Sequence, residues 1–169
     1  MKSQFLPELS LNTLQQLAAQ KQYTQAFDYL MKPLHEEMYR LQDFTFLETL
    51  SPAQELCLRL DYAAQQILSG GYIQLIQNKF AGLLLPLPEL LQQIQQQAIA
   101  QNIDNALKVY SLNFEQLNKE TSLEEFTALY QEFEELNILD KEFETLYPSC
   151  IQSLVNYALD YPEEFMKTI

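Results

Sequence analysis

An all-α fold, arranged as one compact domain of about eight helices, is predicted by three observations. The first is a shortage of turn formers: of 169 residues only 3 are Gly and 7 are Pro. A sandwich or barrel turns roughly every ten residues and needs more of both. The second is a usage dominated by Leu and Gln rather than Val and Thr, which favours helix. The third is an apolar period of i, i+3, i+4, i+7 that returns in segment after segment. With 47% hydrophobic and 20% charged residues the composition is globular, and the length suits a single core.

Each helix has its own local reason. Ser10 precedes Leu11, Leu14, Leu17 and Ala18, a short amphipathic pattern over residues 10–21. Thr24 to Met31 reads as a second helix that Pro33 ends or kinks, and Pro33 then starts another through Leu41. Phe44 to Leu50 is apolar and ambiguous. Ser51-Pro52-Ala53-Gln54 is the clearest start: Ser51 caps, Pro52 suits the first helical position, and Gln54 closes a capping box. Cys57, Leu60, Ala64, Ile67 and Leu68 form the stripe that follows. Gly70-Gly71 stops this helix, and a short piece, Tyr72 to Asn78, comes next. Leu83-Leu84-Leu85 is expected to face the core, since an exposed Leu triplet would be adhesive. Glu89 to Gln101 is predicted as one Gln-rich helix with Leu90, Leu91, Ile94 and Ala98 inward, and Ile103 to Leu112 as another. Ser122 and Glu125 form a second capping box opening a helix to about Leu136. Leu139 to Leu146 continues helically, Pro148-Ser149 breaks the chain, and Ser149 caps a helix through Leu159. Pro162 starts a last turn. No internal repeat or linker divides the chain.

The charge is uneven. Residues 1–109 hold 10 acids and 7 bases, whereas residues 110–166 hold 13 acids and 2 bases. The formal net charge is −13 and the pI about 4.3. Direct binding to nucleic acid or an anionic membrane is therefore disfavoured by repulsion. At about 100° per residue, Glu124, Glu125, Glu132 and Glu135 share one side of the predicted helix, opposite Phe126, Leu129, Tyr130, Phe133 and Leu136. Glu124 and Glu135 would then stand about 16 Å apart. No Lys or Arg interrupts this stripe, so helical i,i+4 pairing does not neutralise it. Simple solubility explains such a face. The sharper reading is a rigid array of carboxylates that competes with a phosphate backbone for Arg and Lys.

Catalytic chemistry finds little to use. His35 is the only histidine, beside Glu36 and Glu37, and reads as a surface or helix-end residue. It has no second His for a metal pair, and Ser149 and Cys150 do not resemble a nucleophile elbow. Gly70-Gly71 lacks the pattern and Lys of a phosphate loop. Carboxylates at helical spacing, such as Glu120 with Glu124, could hold a divalent ion through oxygen ligands, but without His or a loop of Asp and Asn they make a poor site. The expectation is a protein with no catalytic, cofactor or metal site. Cys57 and Cys150 have neither metal nor framework spacing, which predicts free buried thiols in a reducing cytoplasm. Met1 to Pro7 shows no basic-then-apolar leader, and no stretch approaches a membrane span.

Three segments together resemble a known family. Leu50-Ser51-Pro52-Ala53-Gln54 is followed by Gly70-Gly71-Tyr72-Ile73-Gln74 and Asn78, then by Leu139-Asp140-Lys141-Glu142-Phe143 and Tyr161-Pro162-Glu163-Glu164-Phe165. This order is similar to the bacterial family typified by the nineteen-kilodalton acidic DNA mimic protein. The likeness covers residues 50–166 and leaves the helices of residues 1–49 unplaced. It departs at Gln66, where the pattern has an acid, and at Ser69, where it has Asn. The resemblance implies an all-helical fold and a homodimer as one expected state. It also implies, for the type member, an acidic surface that occupies a transcription factor of the helix-turn-helix kind. The motif residues Gly70, Gly71, Tyr72, Gln74 and Asn78 also have a structural reading: a helix stop with Tyr72 inward and Gln74 and Asn78 bonded to backbone.

The expected function is thus a non-enzymatic cytoplasmic protein that presents Glu120, Glu124, Glu125, Glu132, Glu134, Glu135, Asp140, Glu142 and Glu144 to a basic DNA-binding protein. An immunity-type inhibitor of a basic nuclease, and a helical structural domain whose acidity serves only solubility, are the alternatives.

Overall fold

In the computed structural model, which describes residues 4–169, the helices are α1 (Leu11–Ala19), α2 (Tyr23–Leu41), α3 (Pro52–Gln77), α4 (Leu87–Gln93), α5 (Gln97–Leu112), α6 (Phe114–Asn118), α7 (Leu123–Glu132) and α8 (Glu134–Asp160). The all-α prediction holds. Short 3-10 turns cover Phe44–Thr49, Ala81–Leu83 and Pro162–Glu164. The reading of Met1 to Pro7 falls partly on residues 1–3, outside those described. Among the described residues no helix is long and apolar enough to cross a membrane. The chain divides into two compact units, the residues up to Leu58 with Pro148–Ile169, and Arg59–Tyr147. Both divisions fall inside long helices, α3 and α8.

The first unit is tied at its ends. Strands β1 (Glu8–Leu9) and β2 (Lys167–Thr168) pair in parallel, with Glu8 opposite Lys167. Ser51 caps α3 through a complete box: Gln54 N–H donates to Ser51 Oγ and Ser51 N–H to Gln54 Oε1, both at 3.0 Å. The same pair does more than cap. Ser51 Oγ donates to the Glu164 carbonyl at 2.6 Å. Gln54 Nε2 donates to the carbonyls of Phe5 at 3.0 Å and Phe165 at 2.9 Å. Gln54 is fully buried, so it satisfies backbone from both chain ends inside the core. Leu14, Phe27, Leu30, Leu34, Leu154 and Val155 are buried in this unit, as are Cys57 and Cys150, which form no disulfide with each other. Burial pushes the Cys150 thiol up to about 12.

Both interior prolines depart from expectation. α2 runs through Pro33, and α8 through Pro148. An interior proline costs about 3 kcal/mol. Around Pro33 the buried Leu30, Met31 and Leu34 offset it, and around Pro148 the buried Phe143, Cys150 and Ile151 do so. Ser149 is therefore mid-helix and caps nothing. His35 likewise lies inside α2, half-buried, and not at a helix end.

In the second unit, α3 bends at Gly70 and Gly71. Gly71 has φ of +75°, which suits glycine, and a short second arm continues to Gln77. The expected interruption at the glycine pair, with a short helical piece after it, is therefore present. The other helix stops use different residues. Lys21, Lys79 and Gln95 adopt positive φ, and in each case its own amide and the next one reach back to close a Schellman motif. At Gln95 these bonds are Gln95 N–H to the Gln92 carbonyl at 3.0 Å and Gln96 N–H to the Leu91 carbonyl at 2.8 Å. This cap divides the predicted Gln-rich helix into α4 and α5, and turns Ala98 outward. Leu84 is buried but Leu85 is 68% exposed, and Leu68 is 49% exposed, so neither side chain faces the core as expected.

Candidate functional site

Residues 115–144 hold ten acids and two bases, all within the second unit. Ser122 Oγ accepts Glu125 N–H at 3.2 Å and Glu125 Oε2 accepts Ser122 N–H at 2.8 Å, the expected capping box. The helix it opens ends early. Phe133 leaves helical geometry at φ −115° and ψ 59°, and α8 begins at Glu134. The stripe from Glu124 to Glu135 is therefore carried by two helices, and the 16 Å spacing drawn on one helix does not apply. Glu120 lies in the loop before α7, so it is not a helical turn from Glu124 as the ion-pair site required. Among the described residues no three His, Cys, Asp or Glu side chains converge as metal ligands would.

The break at Phe133 has an electrostatic consequence. Glu124 and Glu125 occupy the first turn of α7, and Glu134 and Glu135 the first turn of α8. Carboxylates are stabilised at helix N-termini. Four of the acids thus have a local structural reason to be there.

The nine acids differ in what they touch. Glu120, Glu124, Glu134, Glu135 and Glu144 are exposed and make no side-chain hydrogen bond or ion pair among the described residues. Glu125 serves the cap and also meets Lys119 Nζ at 3.4 Å. Its carboxyl is held below the usual range, first by the Ser122 amide and then by Lys119. Glu132 accepts from Gln116 Nε2. Glu142 Oε2 accepts Asn102 Nδ2 at 2.8 Å.

Asp140 faces elsewhere. Its Oδ1 accepts the Tyr72 N–H at 2.8 Å, and its half-buried carboxyl is pushed up to about 6 by burial, against the lowering effect of that hydrogen bond. Gly71 makes the approach feasible: a Cβ there would stand 2.2 Å from Asp140 Oδ2. Tyr72 is buried, and its phenol is pushed well above 10 by burial and by the nearby carboxylates of Asp140 and Glu142. Tyr72 Oη donates to Asn102 Oδ1 at 2.7 Å, and Asn102 Nδ2 donates to the Leu139 carbonyl at 3.0 Å. Tyr130 Oη donates to the Gly70 carbonyl at 2.6 Å. A cavity of about 200 Å³ opens beside this turn, between Leu68, Gly70, Asp140 and Glu144.

Tyr72 points inward as expected, but Gln74 and Asn78 do not bond to backbone. Gln74 Nε2 donates to Ser69 Oγ at 2.7 Å, and Asn78 Nδ2 to Gln66 Oε1 at 2.7 Å. Those acceptors are the two positions where the chain departs from the family pattern, so Gln66 and Ser69 keep the turn bonded. Gln74 folds over Gly70, where a Cβ would lie 2.0 Å from its Oε1. Sequence reasoning missed Asn102 and Tyr130. Asn102 shares the buried face of α5 with Ile99, Ile103 and Ala106. A polar residue on an apolar stripe is the signal that marks it.

A family model described as DMP19-like protein matches residues 48–161. A comparison with curated proteins finds no match. The matched stretch holds the Ser51 and Gln54 box, the Gly70–Gly71 turn, Asp140 and the acidic segment. Spanning more than half of the sequence, it places the chain in the DMP19-like protein family.

Proposed function

We propose that this chain is a non-enzymatic acidic binding protein of the DNA-mimic type, whose carboxylates occupy the basic surface of a DNA-binding protein such as a transcriptional regulator. One observation carries the reading: Glu120, Glu124, Glu134, Glu135 and Glu144 are exposed anions that form no ion pair among the described residues. Glu132 extends the set through its uncommitted oxygen. Glu125 contributes less, since the Ser122 cap and Lys119 engage it. Glu142, exposed like Glu132, engages one oxygen with Asn102 and keeps the other, whereas Asp140 leaves the set because it is half-buried and tied to the Tyr72 amide.

Magnitudes decide how such binding behaves. An exposed ion pair is worth about 0.5 kcal/mol, so useful affinity needs many pairs at once. The attraction is screened within about 8 Å at physiological ionic strength. Binding therefore collapses with salt and competes with duplex DNA. The test is capture from a bacterial lysate on the immobilised full chain, at about 50 and about 300 mM salt, with and without duplex DNA. A basic DNA-binding protein is expected at low salt, released by salt or by DNA. The variant Glu124→Lys/Glu132→Lys/Glu135→Lys should lose it. Retention of the same protein by that variant, or capture of nothing basic, overturns the proposal. A nuclease in place of a regulator selects the immunity reading.

A further inference from the structure

The Gly70–Gly71 kink is held by the Tyr130 hydroxyl on the Gly70 carbonyl and by one carboxyl, that of Asp140. Asp140 on α8 receives the Tyr72 amide at 2.8 Å and packs against the bare Cα of Gly71. Tyr72 continues into the core and joins Asn102, which in turn holds the Leu139 carbonyl and Glu142. The kink, α5 and this stretch of α8 are one hydrogen-bonded assembly, and Asp140 is its half-buried acid. We propose that Asp140 is a proton-sensitive latch, which holds the second arm of α3 most firmly when neutral and loosens as it ionises.

The chemistry follows from desolvation. A neutral carboxyl still offers its carbonyl oxygen to the Tyr72 amide. An ionised one keeps that hydrogen bond but gives up hydration for it, a cost that opening of the latch relieves. The titratable groups that interact with Asp140 are Tyr72 from α3 and Tyr130 from α7, while Lys141 and Glu144 of its own helix line the same cavity. From α5 it meets the assembly through the neutral Asn102. The two phenols are raised above their ordinary value of 10, so both stay neutral between pH 5 and 8. Burial pushes the carboxyl of the closed latch up to about 6, above the ordinary 3.8 that a solvated Asp has. Protons are thus bound more tightly when the latch is shut, and its closure weakens as pH rises through about 6. The inference does not depend on what the acidic surface binds.

Amide exchange reads the latch directly. The Tyr72 protection factor, corrected for intrinsic exchange, is expected to fall about tenfold between pH 5 and 7.5. The Leu30 amide in the other unit serves as a reference. Asp140→Asn keeps an acceptor for the Tyr72 amide without a charge, so its protection should be independent of pH and match the acidic wild type. A wild-type protection factor that is flat in pH overturns the proposal, as does an Asp140→Asn variant that keeps the wild-type slope. Should that variant fold poorly, the carboxyl carbon shift of Asp140 in the wild type decides alone. A midpoint near 6 supports the latch, and one at the ordinary 3.8 removes it.

Discussion

Two helices of this chain begin with the same device, and the device has different weight in each. Ser51 with Gln54 and Ser122 with Glu125 are both capping boxes, and both make the two reciprocal bonds. The first is buried, uses a neutral amide, and spends its spare donors on carbonyls of Phe5, Glu164 and Phe165. The second is exposed, uses a carboxylate, and shares it with Lys119. In water a lost cap is partly replaced by solvent. In the core it leaves several polar groups with no partner at all. One sequence signature therefore marks an organising centre in one unit and a modest helix start in the other.

The contrast breaks most sharply at Gln54. Gln54→Leu keeps the volume roughly but strands the Ser51 amide and the carbonyls of Phe5 and Phe165. The expected loss is about 3 kcal/mol, read as a fall in the urea midpoint. Gln54→Glu retains an acceptor for Ser51 but points a carboxylate at two carbonyls, and should fare no better. At the exposed box, Ser122→Ala is expected to cost about 1 kcal/mol or less. Equal losses at the two sites would show that burial does not set the difference.

Helix starts were legible in the sequence because the capping residues are polar, local and specific. Ser51 and Ser122 cap where the pattern places them, and Ser10 caps the helix that begins after it, whereas the cap expected at Ser149 lies inside α8. Most helix stops were not. The glycine pair was legible and interrupts α3 where the sequence places the interruption. With so few glycines, the chain closes its other helices on Lys21, Gln42, Lys79 and Gln95 in the left-handed region, which Lys and Gln do not advertise. Prolines misled for the opposite reason: Pro33 reads as an end or a kink and Pro148 as a break, but α2 and α8 run through them, with buried residues on either side. The acidic segment was visible as composition, whereas the divergent roles of its members were not. Asp140 looks like Glu144 in a charge count. Only the approach of Gly71, some seventy positions away in sequence, makes it a buried acceptor.

The smallest effect gives the most selective test of the comparison, because only one of the two boxes can titrate. The folded Glu125 carboxyl lies below its ordinary 4.5. Its contribution is then present above 4.5 and is lost as pH falls through the folded value. The amide shift of Ser122 should report this titration, with a midpoint below 4.5. The amide of Ser51, facing Gln54, should show no titration of its own partner. Glu125→Gln should abolish the Ser122 titration while keeping the helix start. High salt separates the two causes. At about 1 M the Debye length falls to about 3 Å, so the Lys119 contribution fades and the midpoint moves up. It should stop short of the ordinary value, since the larger cause is the Ser122 hydrogen bond, which salt does not screen away. A midpoint that reaches 4.5 in salt would assign the shift to Lys119 and leave the exposed box with no charge-assisted bond.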